Sequence, residues 1–254
     1  MGKQRVMLTV AYDGTAYSGF QIQNNAKTIE GELSTALEGL LGEKVQIMGG
    51  SRTDAGVHAL CNVAVFDTSA RIPAEKISYA LNQRLPEDIR IRDSREVAAD
   101  FHPRHCESRK IYEYRITNTR FPIPTRRLYS YFTYTPLCVE RMQEAAGYLV
   151  GTHDFKSFCS AGSQVESTVR TVYSIEVSKE GEEILIRIQG NGFLYNMVRI
   201  IAGTLMEVGK GRWEPEKVRE ILQAEDRQAA GPTAPGCGLM LAEYRLEESC
   251  DPGR

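Results

Sequence analysis

Residues 5–12, RVMLTVAY, and residues 28–42, TIEGELSTALEGLLG, decide the fold of the N-terminal half. The first run is short, apolar and rich in strand-favouring residues, so it predicts a β-strand. The second places leucine or isoleucine at helical spacing behind Thr28, a good N-cap residue, and therefore predicts a helix. A strand, a second strand, a helix that begins at a proline and a last strand follow at residues 45–50, 61–67, 73–85 and 89–97. The predicted order is β-α-β-β-α-β.

The C-terminal half repeats this order. It predicts a strand, a helix, a hairpin of two strands, an apolar helix, a short extra helix and a last strand, at residues 108–117, 137–149, 169–179, 183–190, 194–208, 215–223 and 239–246. The expected fold class is α+β, with two tandem ferredoxin-like (βαββαβ) units, mainly antiparallel sheets and helices packed on one side. The expected units are residues 1–103 and 104–254. Insertions near 118–134 and 151–168 lie in the second unit, and loops of that length are usually functional or mobile.

Charge is distributed unevenly along the 254 residues, although the net charge is only −2. Residues 71–127 carry 13 basic and 8 acidic side chains, an excess of +5, and the charged residues of 104–127 are mostly arginine. Arginine binds phosphate through two parallel hydrogen bonds. The stretch therefore indicates either a nucleic-acid contact or an ordinary solvated basic surface.

The cysteines and the hydropathy favour a cytoplasmic protein. Six cysteines are scattered without any CxxC pair, which is typical of reduced thiols. No apolar run reaches the roughly 18 residues that a membrane span needs, so no membrane contact is expected. The nearest approach to a metal cluster is HPRHC at 102–106, whose side chains are too close in sequence to complete a site alone. No metal or other cofactor is expected.

The loop GGSRTDAGVHA at 49–59 joins two predicted strands. Its glycines allow a tight turn and a close approach to a ligand. Asp54 either presents its carboxylate to a substrate or caps its own backbone as a turn residue. The residues alone leave both interpretations open.

Arg199 and Tyr112 are the other candidates. Arg199 interrupts the apolar run GFLYNMVRIIAGTL at 192–205, where it either extends to solvent or pairs with a carboxylate. Beside Asp54 it would lower the pKa of that carboxyl and keep it ready as a nucleophile. Tyr112 lies on a predicted strand with Tyr114, and each is either a core aromatic or a ring that stacks on a base.

Four stretches resemble one known family. SRTDAGVHAL at 51–60 resembles the catalytic loop of the tRNA pseudouridine synthase A family. VAYDGTAYSGFQIQ at 10–23, RKIYEYRI at 109–116 and GNGFLYNMVRIIAGTLMEVG at 190–209 resemble the same family. They occur in the family's order and span nearly the whole chain.

The resemblance implies a role for each candidate. Asp54 matches the catalytic aspartate and Arg52 the arginine that helps to extrude the target base. Tyr112 matches the tyrosine that packs on the uracil, and Arg199 the basic residue that pairs with the aspartate. The resemblance also implies two ferredoxin-like halves, a homodimer with tRNA lying across both subunits, and no cofactor. The targets would be uridines at positions 38, 39 and 40 of the anticodon stem-loop.

Two short stretches depart from the family. Phe20 and Ile22 stand where it often has tryptophan and a polar residue, and Gly236 follows Ala234-Pro235 where it usually has a second proline. Neither departure is expected to touch the predicted chemistry, although the first would alter a stacking or core contact.

Several alternatives stay open on the residues alone. Asp54 would attack C1′ of the ribose, attack C6 of the ring or assist elimination through a glycal, and Tyr112 or Asp54 would take the C5 proton. One rival function is an RNA-binding protein without activity, but the aromatic pattern of such modules is absent. Another is a glycosidase, which needs a second acid where the loop offers Arg52 and His58.

Overall fold

A computed structural model describes residues 3–162 and 165–247, and over these residues the chain has a mixed α+β fold with ten strands and five α-helices. The chain forms two compact units. Unit 1 runs from the N-terminus to Ser108 and also includes the segment from Leu241 onward, while unit 2 is Arg109–Met240. The expected limits of 1–103 and 104–254 as folding domains stay a prediction.

Unit 1 contains a counterpart of each of the six predicted N-terminal elements. They are β1 (Gln4–Tyr12), α1 (Ile29–Leu41), β2 (Met48–Gly49), β3 (His58–Thr68), α2 (Ala74–Asn82) and β4 (Ile89–Val97). The strand order is β4-β1-β3, with β2 also beside β3, and every one of these pairs is antiparallel. The predicted strand at 45–50 is reduced to two residues.

The ends of α1 follow from its capping residues. The Thr28 side chain accepts a hydrogen bond from the Gly31 amide at 3.2 Å, which satisfies one of the unpaired N–H groups at the helix start. Gly42 ends the helix in the left-handed conformation, with φ 71°, and its N–H bonds to Glu38. The helix buries Ile29, Leu33, Ala36 and Leu37. Capping and apolar spacing thus agree with the predicted range of 28–42.

The pairing of β1 with β3 contains an irregularity next to the loop at 49–59. Val10 pairs with Asn62, but Tyr12 pairs with Ala59, so the register shifts by one residue between them. Such a β-bulge turns side chains to new directions and is common beside active sites. Here it brings Tyr12 and the Asn62 side chain within hydrogen-bonding distance, at 3.1 Å.

Unit 2 repeats a pattern of strands and helices. Its elements are β5 (Ser108–Asn118), β6 (Tyr131–Thr133), α3 (Val139–Gly147), β7 (Gly151–Asp154), β8 (Val169–Glu180), β9 (Glu183–Gly190), α4 (Met197–Gly209) and α5 (Lys217–Ala224). The strand order is β5-β9-β8-β7, all antiparallel, and β6 adds a short parallel pair to β5. The predicted insertions at 118–134 and 151–168 therefore contain β6 and β7; residues 163–164 lie outside the described part.

The last strand, β10 (Leu239–Leu246), has the predicted bounds. It lies beside β3, and the Cys61 thiol bonds to the carbonyl of Ala242. No helix in the described ranges is both long enough and apolar enough to cross a bilayer.

Candidate active site

The loop that carries Arg52 and Asp54 is held from β3 by Asn62. The Asn62 side chain accepts a hydrogen bond from the Ser51 amide at 3.1 Å and donates to the Ser51 carbonyl at 2.9 Å. It also accepts from the Val63 amide and donates to the Tyr12 hydroxyl. Asn62 is fully buried, so these four bonds replace the water that its amide loses on folding.

Thr53 is the second fixed point of the loop. Its hydroxyl lies 2.6 Å from the hydroxyl of Tyr12, and its carbonyl accepts a hydrogen bond from the Phe20 amide at 3.0 Å. Burial raises the pKa of Tyr12, so its phenol stays protonated at neutral pH and has a proton to share with Thr53. The loop is thus bound at residue 53 through both side chain and backbone.

Two glycines allow the segment before α1 to lie against this loop. A Cβ atom at Gly14 would lie 2.0 Å from the carbonyl oxygen of Val57, and one at Gly19 would lie 2.6 Å from that of Thr53. Gly19 also has φ +93°, a conformation that side chains disfavour. Only residues without a Cβ permit this approach, which explains two glycines in the stretch 10–23.

Arg52 and Asp54 lie on either side of Thr53. Arg52 is exposed and Asp54 is partly buried. The Val57 amide donates to the Asp54 carbonyl at 3.2 Å, so the backbone itself closes the turn. The loop therefore presents an arginine and a carboxylate from a rigid support. Their catalytic roles stay predictions.

His58 ends the loop as a buried side chain. Its Nδ1 accepts from the Gly14 amide at 3.1 Å and lies 3.1 Å from an Asp13 carboxylate oxygen. The ring is 5% exposed, so it is not presented at the surface of the loop. It connects the start of β3 to the segment that follows β1.

Unit 2 holds Arg199 in a fixed position. Every residue of α4 is buried except Arg199, which is partly buried. Its Nε donates to the carbonyl of Ala234 at 2.7 Å, and its Nη1 donates to the side chain of Asn196 at 2.6 Å. Asn196 has φ 61°, a left-handed conformation that asparagine tolerates better than most residues. Strained residues of this kind concentrate at functional sites.

The segment Ala234–Pro235 contacts Arg199 and Tyr114. Besides the bond from Arg199 to Ala234, the Tyr114 hydroxyl donates to the carbonyl of Pro235 at 2.9 Å. Tyr114 is fully buried, and burial raises its pKa. Gly236, the residue that departs from the family, begins the short turn that follows.

Tyr112 packs against an aromatic residue that sequence reasoning missed. Its ring meets the ring of Phe193 edge to face, with centroids 5.2 Å apart, and Tyr112 is 8% exposed. Phe193 in turn lies over Gly190 at the end of β9. Gly190 permits this approach, because a Cβ atom there would lie 3.0 Å from the Phe193 ring.

Phe20 is a core contact. It is 1% exposed, and its ring lies so close to Gly49 that a Cβ there would be 2.4 Å from it. Ile22 is 54% exposed. The departure at Phe20 thus affects packing under the loop.

The arginines of 104–127 differ in their surroundings. Arg115 forms ion pairs with Glu113 and Glu183, both at 2.8 Å, so its charge is already compensated. Arg109 and Arg120 are exposed, and each lies over an aromatic ring. Stacked, exposed arginines are the members of this segment that suit phosphate contacts.

Metal ligands do not cluster in the described residues: no group of three or more histidine, cysteine, aspartate or glutamate side chains is arranged to hold an ion. In the stretch 102–106, the rings of His102 and His105 stack at 4.0 Å. Burial lowers the pKa of His102, and the neighbouring His105 lowers it further.

Comparison with known sequences decides the family. The sequence pattern of the family described as tRNA pseudouridine synthase matches residues 8–105 and 145–246. The chain belongs to the tRNA pseudouridine synthase family. The matched segments contain Arg52, Asp54 and Arg199, whereas Tyr112 lies between them.

Individual members of the tRNA pseudouridine synthase family cover almost the whole chain. A protein named tRNA pseudouridine synthase A from a Thermoanaerobacter species is 49% identical over 94% of this chain and 98% of its own length. Proteins of the same name from Brevibacillus brevis and Halalkalibacterium halodurans are 50% and 47% identical, over 94% and 96% of this chain and 98% and 93% of their own lengths. The resemblance seen in the four motifs thus extends over 94–96% of the chain.

Proposed function

We propose that this chain is an isomerase that converts uridine to pseudouridine in transfer RNA. The reaction breaks the C1′–N1 bond and joins C1′ to C5, with no atom gained or lost. The observation that carries the proposal is the identity of 47–50% to enzymes named tRNA pseudouridine synthase A, over 93–98% of their lengths. By the resemblance, the targets are positions 38, 39 and 40 of the anticodon stem-loop.

Each candidate residue receives a role. The target base must leave the stack before it can be reached, at a cost of a few kcal/mol. Arg52, exposed on the loop, assists that extrusion, and Asp54 supplies the carboxylate that acts on the extruded nucleoside. Tyr112 packs on the uracil, and Arg199 is the basic partner of Asp54. By the resemblance, the reaction needs no cofactor.

The finer architecture is part of the proposal. The order β4-β1-β3-β2 in unit 1 and the antiparallel order β5-β9-β8 in unit 2 support two tandem ferredoxin-like units. We further infer a cytoplasmic homodimer that binds the tRNA across both subunits. The exposed arginines of 104–127 would hold phosphates without reading sequence.

The test uses transfer RNA with tritium at C5 of its uridines, because isomerisation releases that tritium to water. The wild type should release it, and Asp54→Asn should release none while binding tRNA as well as the wild type. Asp67→Asn, which removes a charge from a carboxylate bound to Arg5, is the matched control and should remain active.

Two outcomes contradict the proposal. Near-normal release by Asp54→Asn would remove Asp54 from the chemistry. Binding of tRNA by the wild type without any release would identify a binding protein instead of an isomerase.

A further inference from the structure

A chain of buried polar groups lies directly beneath the candidate loop. It consists of Tyr12 on β1, Asn62 on β3 and Thr53 in the loop, which are 4%, 0% and 7% exposed. We propose that Tyr12 and Asn62 are positioning residues that fix the Asp54 carboxylate through Thr53 and Ser51. The inference rests on the proposed function: it predicts that the rate of isomerisation, but not tRNA affinity, depends on the hydrogen bonds among these three buried residues.

Asn62 is placed by the β-bulge between β1 and β3. The shift from Val10–Asn62 to Tyr12–Ala59 breaks the regular alternation at this point. The side-chain amide of Asn62 then accepts from the N–H of Ser51 and donates to its carbonyl, as the backbone of a neighbouring strand would. Because the amide geometry is planar, these two bonds fix the direction in which the chain leaves Ser51 toward Arg52.

Tyr12 transmits this restraint to Thr53. The Asn62 side-chain N–H₂ can only donate, so the Tyr12 oxygen accepts that bond at 3.1 Å. The phenol proton is then available for the Thr53 hydroxyl, 2.6 Å away. The next residue in the chain is Asp54. The Cα of Asp54 is therefore positioned by Thr53, whose hydroxyl is hydrogen-bonded to Tyr12 and whose carbonyl is hydrogen-bonded to Phe20.

Such a chain requires every group to be satisfied. A buried polar group without a partner costs free energy, whereas a fully bonded network is rigid and selects one arrangement. Asn62 uses all four of its hydrogen-bonding positions. An apolar contact would be easier to form but would leave the loop free to slide. We infer that the network is kept for accuracy of position.

The experiment removes one hydroxyl at a time. Thr53→Val and Tyr12→Phe each break the bond between residues 12 and 53, and Thr53→Ser keeps a hydroxyl. Thr68→Val is the matched control, because Thr68 is a fully buried threonine at the other end of β3 whose hydroxyl bonds to Glu43. For each variant, three quantities are measured: the single-turnover rate of tritium release, the Kd for tRNA and the melting temperature.

We expect Thr53→Val and Tyr12→Phe to release tritium about 10- to 100-fold more slowly, since small displacements of a reacting group cost that much. Their Kd values should match the wild type. The double variant should be no slower than Tyr12→Phe alone, because Tyr12→Phe already removes the bond that Thr53→Val breaks. Thr53→Ser should recover most of the rate, and Thr68→Val should lower the melting temperature but not the rate.

Three results would overturn the inference: wild-type rates in both single variants, losses in the double variant that multiply, or an equal loss of rate in Thr68→Val. Failure of the proposed function is a separate result. It would show as tritium release that does not require Asp54, whatever the variants at 12 and 53 do.

Discussion

Gly19→Ala tests whether close contact with the segment before α1 sets the loop position. Gly19 and Gly42 both have positive φ, at +93° and +71°, so alanine at either position strains the backbone by roughly 1–2 kcal/mol. At Gly42 the new Cβ meets nothing within 4 Å, whereas at Gly19 it would lie 2.6 Å from the Thr53 carbonyl. An ordinary contact starts near 3.4 Å. The loop or the segment must therefore move by about 0.8 Å, the difference between the two distances.

The two variants should consequently differ in both stability and activity. Gly42→Ala should lose about 1 kcal/mol of unfolding free energy, and Gly19→Ala should lose about 1–3 kcal/mol more, the typical cost of overpacking. A displacement approaching 1 Å beside Asp54 should slow tritium release by tens of fold. Urea unfolding and single-turnover release measure the two effects. Equal stabilities, or a wild-type rate in Gly19→Ala, would refute the reasoning.

Two further predictions concern α4. Asn196→Gly and Asn196→Ala both remove the hydrogen-bond acceptor for Arg199 and should slow tritium release equally. The alanine variant should be about 1 kcal/mol less stable than the glycine variant, because a residue with a Cβ is strained at φ 61° and glycine is not. Equal urea midpoints would contradict this. Burial raises the pKa of Glu207, but hydrogen bonds from Lys210 and Arg212 outweigh burial and lower that pKa below 4.5. The ionised Glu207 carboxylate therefore stabilises the folded protein at neutral pH, and this stabilisation is lost as the pH falls below 4.5. Glu207→Gln should therefore destabilise the protein more at pH 7 than at pH 4 in urea unfolding, and the same loss at both would disprove the assignment.

The elements best predicted from sequence are those whose evidence is local. The helix at 28–42 has a capping residue at each end and a regular apolar face, and the structure places α1 at Ile29–Leu41. The strand at 45–50 shrinks to Met48–Gly49, because its pairing depends on how much of the β3 edge is available. That edge is also occupied by β10, which is about 180 residues away in the chain. No local pattern contains this information.

Candidate residues stand out in the sequence where a residue type is unexpected, although their catalytic roles stay predictions. An aspartate among glycines and an arginine in an apolar helix are both unexpected, which makes Asp54 and Arg199 candidates, and the family resemblance supplies their proposed roles. Tyr12 and Asn62 give no such signal in the sequence, because each lies at or next to the end of a predicted strand, at 5–12 and 61–67. The positioning role proposed for them depends on the bulge between β1 and β3, which only the pairing register reveals. Phe193 was overlooked for a similar reason: an aromatic residue in an apolar run is unremarkable until its partner is known.

The way the loop is held bears on how its variants should be interpreted. Its anchors engage the backbone at Ser51, Thr53 and Gly56 and the hydroxyl of Thr53. None of these bonds uses a side-chain atom of Arg52 or Asp54. Because these bonds should survive Asp54→Asn, loss of activity in that variant would report on the carboxylate more than on the fold. Variants at Thr53 and Tyr12 leave the carboxylate intact and change only its support. Comparing the two sets therefore separates chemistry from position in one loop.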